Sequence, residues 1–387
     1  MAWFRRERVI LVAAAVTGAL GGAPVRAASL TPAPVLGARA AILMDARTGA
    51  ILYEKHAFLQ MDPASLTKMM TALIVIRHGH LDQRVPISRG ADQTPGSSLH
   101  VRMGEEYTRL DLLKGLLLRS GNDAAVALAE SDAGSVQRFV AWMNVTAQSL
   151  GAFNTSFENP HGLTRPGHYS SAYDLALIAR AALQHPLFRE IVRSNEATIT
   201  EQRSLTRRTI HTTNQLLYGF PGADGVKTGT TSAAGKCLVA SATRHQWQLI
   251  AVVLNSPDRW GDASRLLNWG FENWELRRLL VADVPIAQRP VVDGRQAQVA
   301  IVPHRALWVV VPRGDAVRTV VSLPDKLTAP ILPRHRVGFY HVLIPGQPVE
   351  SRALYPAKPV ALKPWWQRSL ERLRGLLPFN RREPPKP

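Results

Sequence analysis

Apolar strand patterns stand at the two ends of a long helical region, and this constrains the fold more than any other feature. Residues 40–45 and 50–54 flank the turn Ala46-Arg47-Thr48-Gly49, which reads as a hairpin. Strand patterns return only at 234–242 and 248–254, followed by a helical pattern at 264–274. Between them the apolar spacing is helical over 66–78, 110–118, 123–133, 136–150 and 172–183, the first run opened by Asp62-Pro63. Strands at both ends with helices between predict an α+β sheet domain carrying a helical insertion. After Leu280 the texture changes to short β-branched runs between Pro and Gly turns, at 298–302, 307–311, 317–323 and 337–344. These predict a small all-β domain, a β-sandwich, over 281–355. Residues 356–364 read as a Pro-punctuated linker. With 387 residues, 46% of them hydrophobic, the chain can build both cores.

Three short motifs carry the chemistry: Ser65-Leu66-Thr67-Lys68, Ser120-Gly121-Asn122 and Lys227-Thr228-Gly229. Ser65 and Lys68 stand at i and i+3, so early in a helix they share a face. A serine hydroxyl attacks well only when a base takes its proton. Lysine is such a base only if burial or a nearby like charge lowers its pKa, and Lys227 is the candidate source of that charge. A helix N-terminus at Ser65 also offers N–H groups to a developing oxyanion. Gly229 lets a peptide backbone come close, as an added strand requires. Lys227 offers positive potential to a terminal carboxylate, and Thr228 and Thr230 offer hydroxyls. Each motif alone has a bland explanation: a surface Ser and Lys on an ordinary helix, a helix cap at Ser120 or Asn122, a turn with an exposed lysine.

The order of the motifs resembles the S-x-x-K, S-x-N, K-T-G signature of the penicillin-recognising acyltransferases. The flanks, Pro63–Lys68, Asp224–Gly229 and Ala233-Ala-Gly-Lys-Cys-Leu238, resemble the D-alanyl-D-alanine carboxypeptidases, low-molecular-mass penicillin-binding proteins of bacterial cell walls. The resemblance implies a β-lactamase/transpeptidase-like fold over 37–280, one antiparallel sheet with helices on both faces and a helical insertion, and removal of the terminal D-alanine from peptidoglycan stem pentapeptides, with β-lactams as covalent inhibitors. It implies Ser65 as nucleophile, Lys68 as base, Ser120 relaying a proton to the leaving amine and Asn122 holding the substrate amide. Lys227, Thr228, Gly229 and Thr230 would bind substrate, with the N–H groups of Ser65 and Thr230 as oxyanion hole. Arg259, just before the closing helix, would help bind the carboxylate; a surface ion pair is the alternative. Asp224 would shape the turn before the strand, and His161-Gly162-Leu163 resembles a family segment with a packing or loop role. Two rivals remain. A β-lactamase would need a deacylating E-x-x-x-N segment; Glu158 stands near the right distance, but Gly162 occupies the Asn position and Gly121 the Asp position of S-D-N. A catalytically inactive wall-binding relative would be expected to lack motif side chains, and all are present.

The formal net charge is +18. No helix-turn-helix, RNP-like or zinc-finger pattern accompanies it, nor a basic run with interleaved aromatics, so no nucleic-acid partner is expected. The charge suits an anionic envelope of phospholipid heads and acidic wall polymers. Arg5, Arg6 and Arg8 precede an apolar run from Val9 to Ala23, then Val25-Arg26-Ala27. This predicts a signal peptide over 1–27 and export to the outer face of the cytoplasmic membrane, with an uncleaved anchor as the alternative. Cys237 is the only cysteine, so no internal disulfide forms, and its apolar run predicts a buried structural thiol. The histidines lack metal-ligand spacing; no metal and no cofactor are expected. At the C-terminus Pro364 opens a helical pattern with Trp366, Leu370, Leu373 and Leu377 on one face and Trp365 and Leu376 beside them. Arg368, Arg372 and Arg374 lie off that stripe, and Arg381, Arg382 and Lys386 follow. Too short to span a bilayer, the segment suits a helix lying in an anionic membrane surface, the β domain acting as spacer. Packing on the β domain is the alternative.

Overall fold

The computed structural model describes residues 30–332, 334–344 and 349–376. The expected signal segment and the basic tail, with Leu377, lie outside the described residues. Strands β1 (Ala40–Asp45) and β2 (Ile51–Lys55) form the expected hairpin, and β3 (Ala223–Thr231), β4 (Gly235–Arg244) and β5 (Trp247–Leu254) complete one sheet. Its order is β2-β1-β5-β4-β3, antiparallel throughout, so β1 lies against β5 with Ile42 opposite Val252. The helices that flank it include α1 (Lys68–His78), α2 (Asn122–Ala133), α3 (Ala172–Ala182) and α4 (Arg259–Asn273).

Every residue of β1 is buried, because both faces of the sheet are covered. On one face Leu43, Leu249, Ala251 and Val253 pack with Leu266 and Leu267 of α4. On the other, Ile42, Met44, Ile250 and Val252 share a core with Met69, Met70 and Leu73 of α1 and Leu175 and Ile178 of α3. Burying each such Leu or Ile side chain is worth about 1.5–3 kcal/mol, so this two-sided core is what fixes the sheet whose edge strand β3 carries Lys227, Thr228 and Gly229.

Several local expectations are corrected. Residues 110–118 do not form one α-helix: Arg109–Lys114 is α-helical and Gly115–Arg119 widens into a π-type turn, closed by the Ser120 N–H donating to Gly115 O. The extra residue in that turn ends in Ser120 at φ +66°, and this offset re-aims the chain into α2. Lys227-Thr228-Gly229 lies inside β3 rather than ahead of a strand. Helix α4 begins at Arg259, not near Ser264, because Asp258 caps it by accepting the Gly261 N–H. A hairpin of Glu196–Thr200 with Arg207–His211 gave no sequence signal; each strand buries only one residue, so no apolar alternation exists to read.

In the C-terminal part, strand Trp274–Leu280 follows α4 directly and pairs with Leu307–Pro312. This two-stranded layer packs Leu280, Leu307, Val309 and Val311 against Val342 of a six-stranded sheet. The 356–364 segment is not a free linker. Its Val360 is buried and exchanges backbone hydrogen bonds with Ile331, the Ala357 N–H donates to Ala300 O, and the Lys363 N–H donates to Asp293 O. Val360 and Leu362 close the apolar core of that sheet, which draws the segment in. Helix Trp365–Leu376 follows Pro364, whose carbonyl accepts the Gln367 and Arg368 N–H groups.

Candidate active site

Asp62-Pro63 leads into a tight turn, Ala64–Thr67, that runs straight into α1. Ser65 is half-buried on this turn and Lys68 is fully buried at the first position of α1. Lys68 Nζ has three partners: Ser65 Oγ at 2.8 Å, Asn122 Oδ1 at 2.6 Å and the His161 carbonyl at 2.8 Å. The last two can only accept. They therefore take two N–H donors, and if the amine is neutral its lone pair is left facing the Ser65 hydroxyl. Burial, and after it the Lys227 cation, hold the Lys68 amine well below the usual lysine range, against a smaller opposing pull from Asp123. A neutral base aimed at a serine hydroxyl is what activation of that hydroxyl requires.

Asn122 is buried at the start of α2. Its Nδ2 donates to Pro95 O at 2.6 Å, which fixes the amide so that Oδ1 faces Lys68. The resemblance assigns this side chain to the substrate amide; in the structure its Oδ1 accepts from Lys68 and one N–H of Nδ2 goes to Pro95 O, so it also orients the lysine. Ser120 is buried, in a left-handed conformation two residues before Asn122. Its hydroxyl has no hydrogen-bond partner among the described residues, so it stands free of the Lys68 cluster.

The far wall is β3, an edge strand of the sheet. Gly229 is what lets it close on the Ser65 turn: a Cβ there would stand 3.1 Å from Ala64 Cβ and 3.2 Å from Ser65 N. Lys227 is buried, donates to Thr228 O at 3.0 Å, and is brought down to about 7 by burial first and the Arg259 guanidinium second. The Thr228 and Thr213 hydroxyls lie 2.7 Å apart. Arg259 Nη1 donates to Thr230 Oγ1 at 2.9 Å and to Gly229 O at 3.1 Å, with no carboxylate partner among the described residues. The ion-pair alternative for Arg259 is therefore not what the structure holds. Lys227, Arg259 and the exposed Thr230 are thus gathered on and beside the strand that closes on the Ser65 turn, and as an edge strand it offers a peptide a ladder to join.

The family model described as D-alanyl-D-alanine carboxypeptidase, peptidase S11, matches residues 27–258. The chain belongs to that family. The D-alanyl-D-alanine carboxypeptidase DacF of Bacillus subtilis is 34% identical over 312 residues, 78% of this chain and 80% of its own. DacC of Escherichia coli is 35% identical over 341 residues, 83% of this chain and 84% of its own. Penicillin binding protein 5 from Haemophilus influenzae superposes with a TM-score of 0.76 at 32% identity, over 86% of this chain and all of that one.

For a member of the D-alanyl-D-alanine carboxypeptidase family, the 158–168 loop proves to matter more than its sequence suggested. Asn159 Oδ1 accepts the N–H groups of His161 and Gly162, and its Nδ2 donates to Leu163 O. This self-templated turn delivers the His161 carbonyl to Lys68. The His161 ring is held neutral, its pKa lowered to about 3 by burial and then by Lys68. Asn-Pro-x-Gly was the available signal, a turn pattern with no chemistry of its own. Glu158 is exposed, and its carboxylate bonds to neither Ser65 nor Lys68. Cys237 is buried, its thiol pushed up to about 11, as its apolar setting predicted.

Proposed function

We propose that the enzyme releases the terminal D-alanine of peptidoglycan stem peptides through an acyl-enzyme on Ser65. Lys68, whose amine burial pushes toward the neutral form, takes the hydroxyl proton as Ser65 attacks the carbonyl between the two D-alanines. The substrate lies along β3 as an added strand. Lys227, Thr230 and Arg259 receive its terminal carboxylate, and the N–H groups of Ser65 and Thr230 receive the oxyanion. Ser120, whose hydroxyl is uncommitted, passes the proton to the departing amine. Water then resolves the ester, and the trimmed stem is no longer a donor for crosslinking, a role in wall maturation and cell shape. The observation that carries this reading is the three-way hold on Lys68, which sets its Nζ 2.8 Å from Ser65 Oγ. Incubation with a D-Ala-D-Ala peptide should release D-alanine, penicillin should stop it, and intact mass should show one adduct that Ser65→Ala abolishes. An adduct that survives Ser65→Ala sinks the assignment. With Glu158 exposed and Gly162 in the Asn position, no carboxylate among the described residues bonds to Ser65 or Lys68, which argues against a β-lactamase.

The enzyme is further read as an exported one that works at the membrane surface. Trp365, Trp366 and Leu370 of the last helix are exposed, at 74%, 49% and 51%. Such side chains on a short helix suit burial in a lipid interface, and the chain's positive charge suits anionic headgroups. Among the described residues no helix is long and apolar enough to cross a membrane.

A further inference from the structure

The nucleophile turn contains an anomaly. Ala64, immediately before Ser65, holds φ +49°, a left-handed conformation that alanine avoids. Something in the surroundings must hold it there. Its carbonyl accepts the Thr67 hydroxyl at 2.9 Å. Thr67 Oγ1 in turn lies 3.0 Å from His168 Nε2, and both side chains are buried. The other ring nitrogen, Nδ1, accepts the Glu158 N–H at 3.0 Å. An Nδ1 that accepts leaves the hydrogen of the neutral ring on Nε2. The direction of every bond then follows. The Glu158 N–H donates to His168, His168 Nε2–H donates to Thr67, and the Thr67 hydroxyl donates to Ala64 O.

We propose that His168 and Thr67 are positioning residues for Ser65: a directed hydrogen-bond chain from the 158–168 loop pins the Ala64 carbonyl and so holds the strained turn that presents the nucleophile. Burial lowers the His168 pKa to about 4, which keeps the ring in the neutral form the chain of bonds requires at neutral pH. The same loop takes two further holds on this segment, the His161 carbonyl on Lys68 and the Pro160 carbonyl on the Thr71 hydroxyl at 2.6 Å. Thr67, Lys68 and Thr71 are thus gripped by one loop. A purely structural role would cost stability alone; a positioning role must cost chemistry at unchanged binding.

The inference rests on Ser65 being the acylated residue, and the experiment separates the two. Acylation by a fluorescent penicillin is followed over a concentration series, so that the saturation constant and the limiting rate constant are read apart. Ser65→Ala must give no labelling; if it labels, the assignment of Ser65 has failed. Thr67→Val keeps the shape and removes the hydroxyl. It should lower the limiting rate constant about 10²-fold, the usual cost of a displacement near 1 Å, with the saturation constant unchanged. Thr67→Ser, which keeps the hydroxyl, should restore the rate to within about threefold. Glycine adopts a left-handed φ without strain. In an Ala64→Gly background the loss on Thr67→Val should therefore shrink at least about threefold. If Thr67→Val does not fold, Thr67→Ala takes its place in both comparisons. A rate equal to the parent without the hydroxyl, a rise in the saturation constant alone, or an equal loss in both backgrounds overturns the proposal.

Discussion

Gly162→Ala is the substitution on which the geometry speaks most sharply. A Cβ at this position would stand 1.8 Å from Ala64 O and 2.4 Å from Ala64 C, both backbone atoms that cannot rotate away. An ordinary contact begins near 3.4 Å, so the loop and the nucleophile turn must part by about 1.6 Å. Gly162 also sits at φ +93°, where alanine is strained. Overpacking of this kind costs about 1–3 kcal/mol and the backbone conformation about 1–2 kcal/mol. A loss of roughly 2–5 kcal/mol in stability is therefore expected. The chemical consequence is larger than the thermodynamic one. The residue before Gly162 supplies the carbonyl that takes one Lys68 N–H, and a shift beyond 1 Å releases it, so acylation by penicillin should slow about 10²-fold or more. Gly229→Ala provides the internal scale. Its Cβ would meet neighbours at 3.1–3.2 Å, a gap closed by a few tenths of an ångström, and it should cost less in both respects. Thermal unfolding and single-turnover labelling of the two variants decide the matter. If Gly162→Ala labels within twofold of the parent, or Gly229→Ala is the more damaged in stability, close packing of loop on turn does not govern the site.

Lys68→Arg keeps the positive charge but cannot surrender a proton near neutral pH. Acylation should fall about 10²–10⁴-fold, and near-normal labelling would move the base elsewhere. Lys227 is buried with a pKa near 7 in the folded protein against an ordinary 10.5, so between those values the unfolded chain holds the extra proton and stability rises with pH. Below pH 7 both states are protonated and the penalty is constant. The melting temperature should therefore gain on that of Lys227→Met between pH 7 and 10; a constant gap refutes the depressed pKa. Removing residues 364–387 should leave D-alanine release intact and abolish sedimentation with anionic liposomes. Retained sedimentation, or loss of activity through unfolding, refutes the surface-helix reading.

The sequence was most legible where chemistry and periodicity coincide. Ser65 and Lys68 could be paired because a helix places i and i+3 on one face, and the middle of the sheet could be foreseen because β1, β4 and β5 are buried on both faces and read as largely apolar runs. Less was legible where a residue acts through its backbone or through another residue. Nothing in the letters announces that the His161 carbonyl rather than its ring meets Lys68. Asn122 was assigned to the substrate because its motif carries that role by resemblance, whereas Pro95, distant in sequence, decides which way its amide points. The widened turn before Ser120 was hidden for a related reason: Leu116, Leu117 and Leu118 are all buried, and a fully buried run carries no period to show an extra residue. The 356–364 segment was misjudged because its prolines outweighed Val360 and Leu362, whose burial depends on a groove the sequence does not display.

The pairing of β1 with β5, Ala40 opposite Leu254, also sets when this enzyme can begin to act. The serine and its lysine come early in the chain, while Lys227 and Gly229 come late and are held only once β3 has joined the sheet. Until the last strand is made and threaded between β1 and β4, Lys68 has no buried cation beside it to weaken its grip on the proton, and Ser65 has no facing wall. Contacts this far apart in sequence close late and slowly. On the proposed assignment of Ser65, a chain still emerging, or one cut short before Leu254, carries an unreactive serine, and labelling by a β-lactam would at the same time report that the sheet has closed.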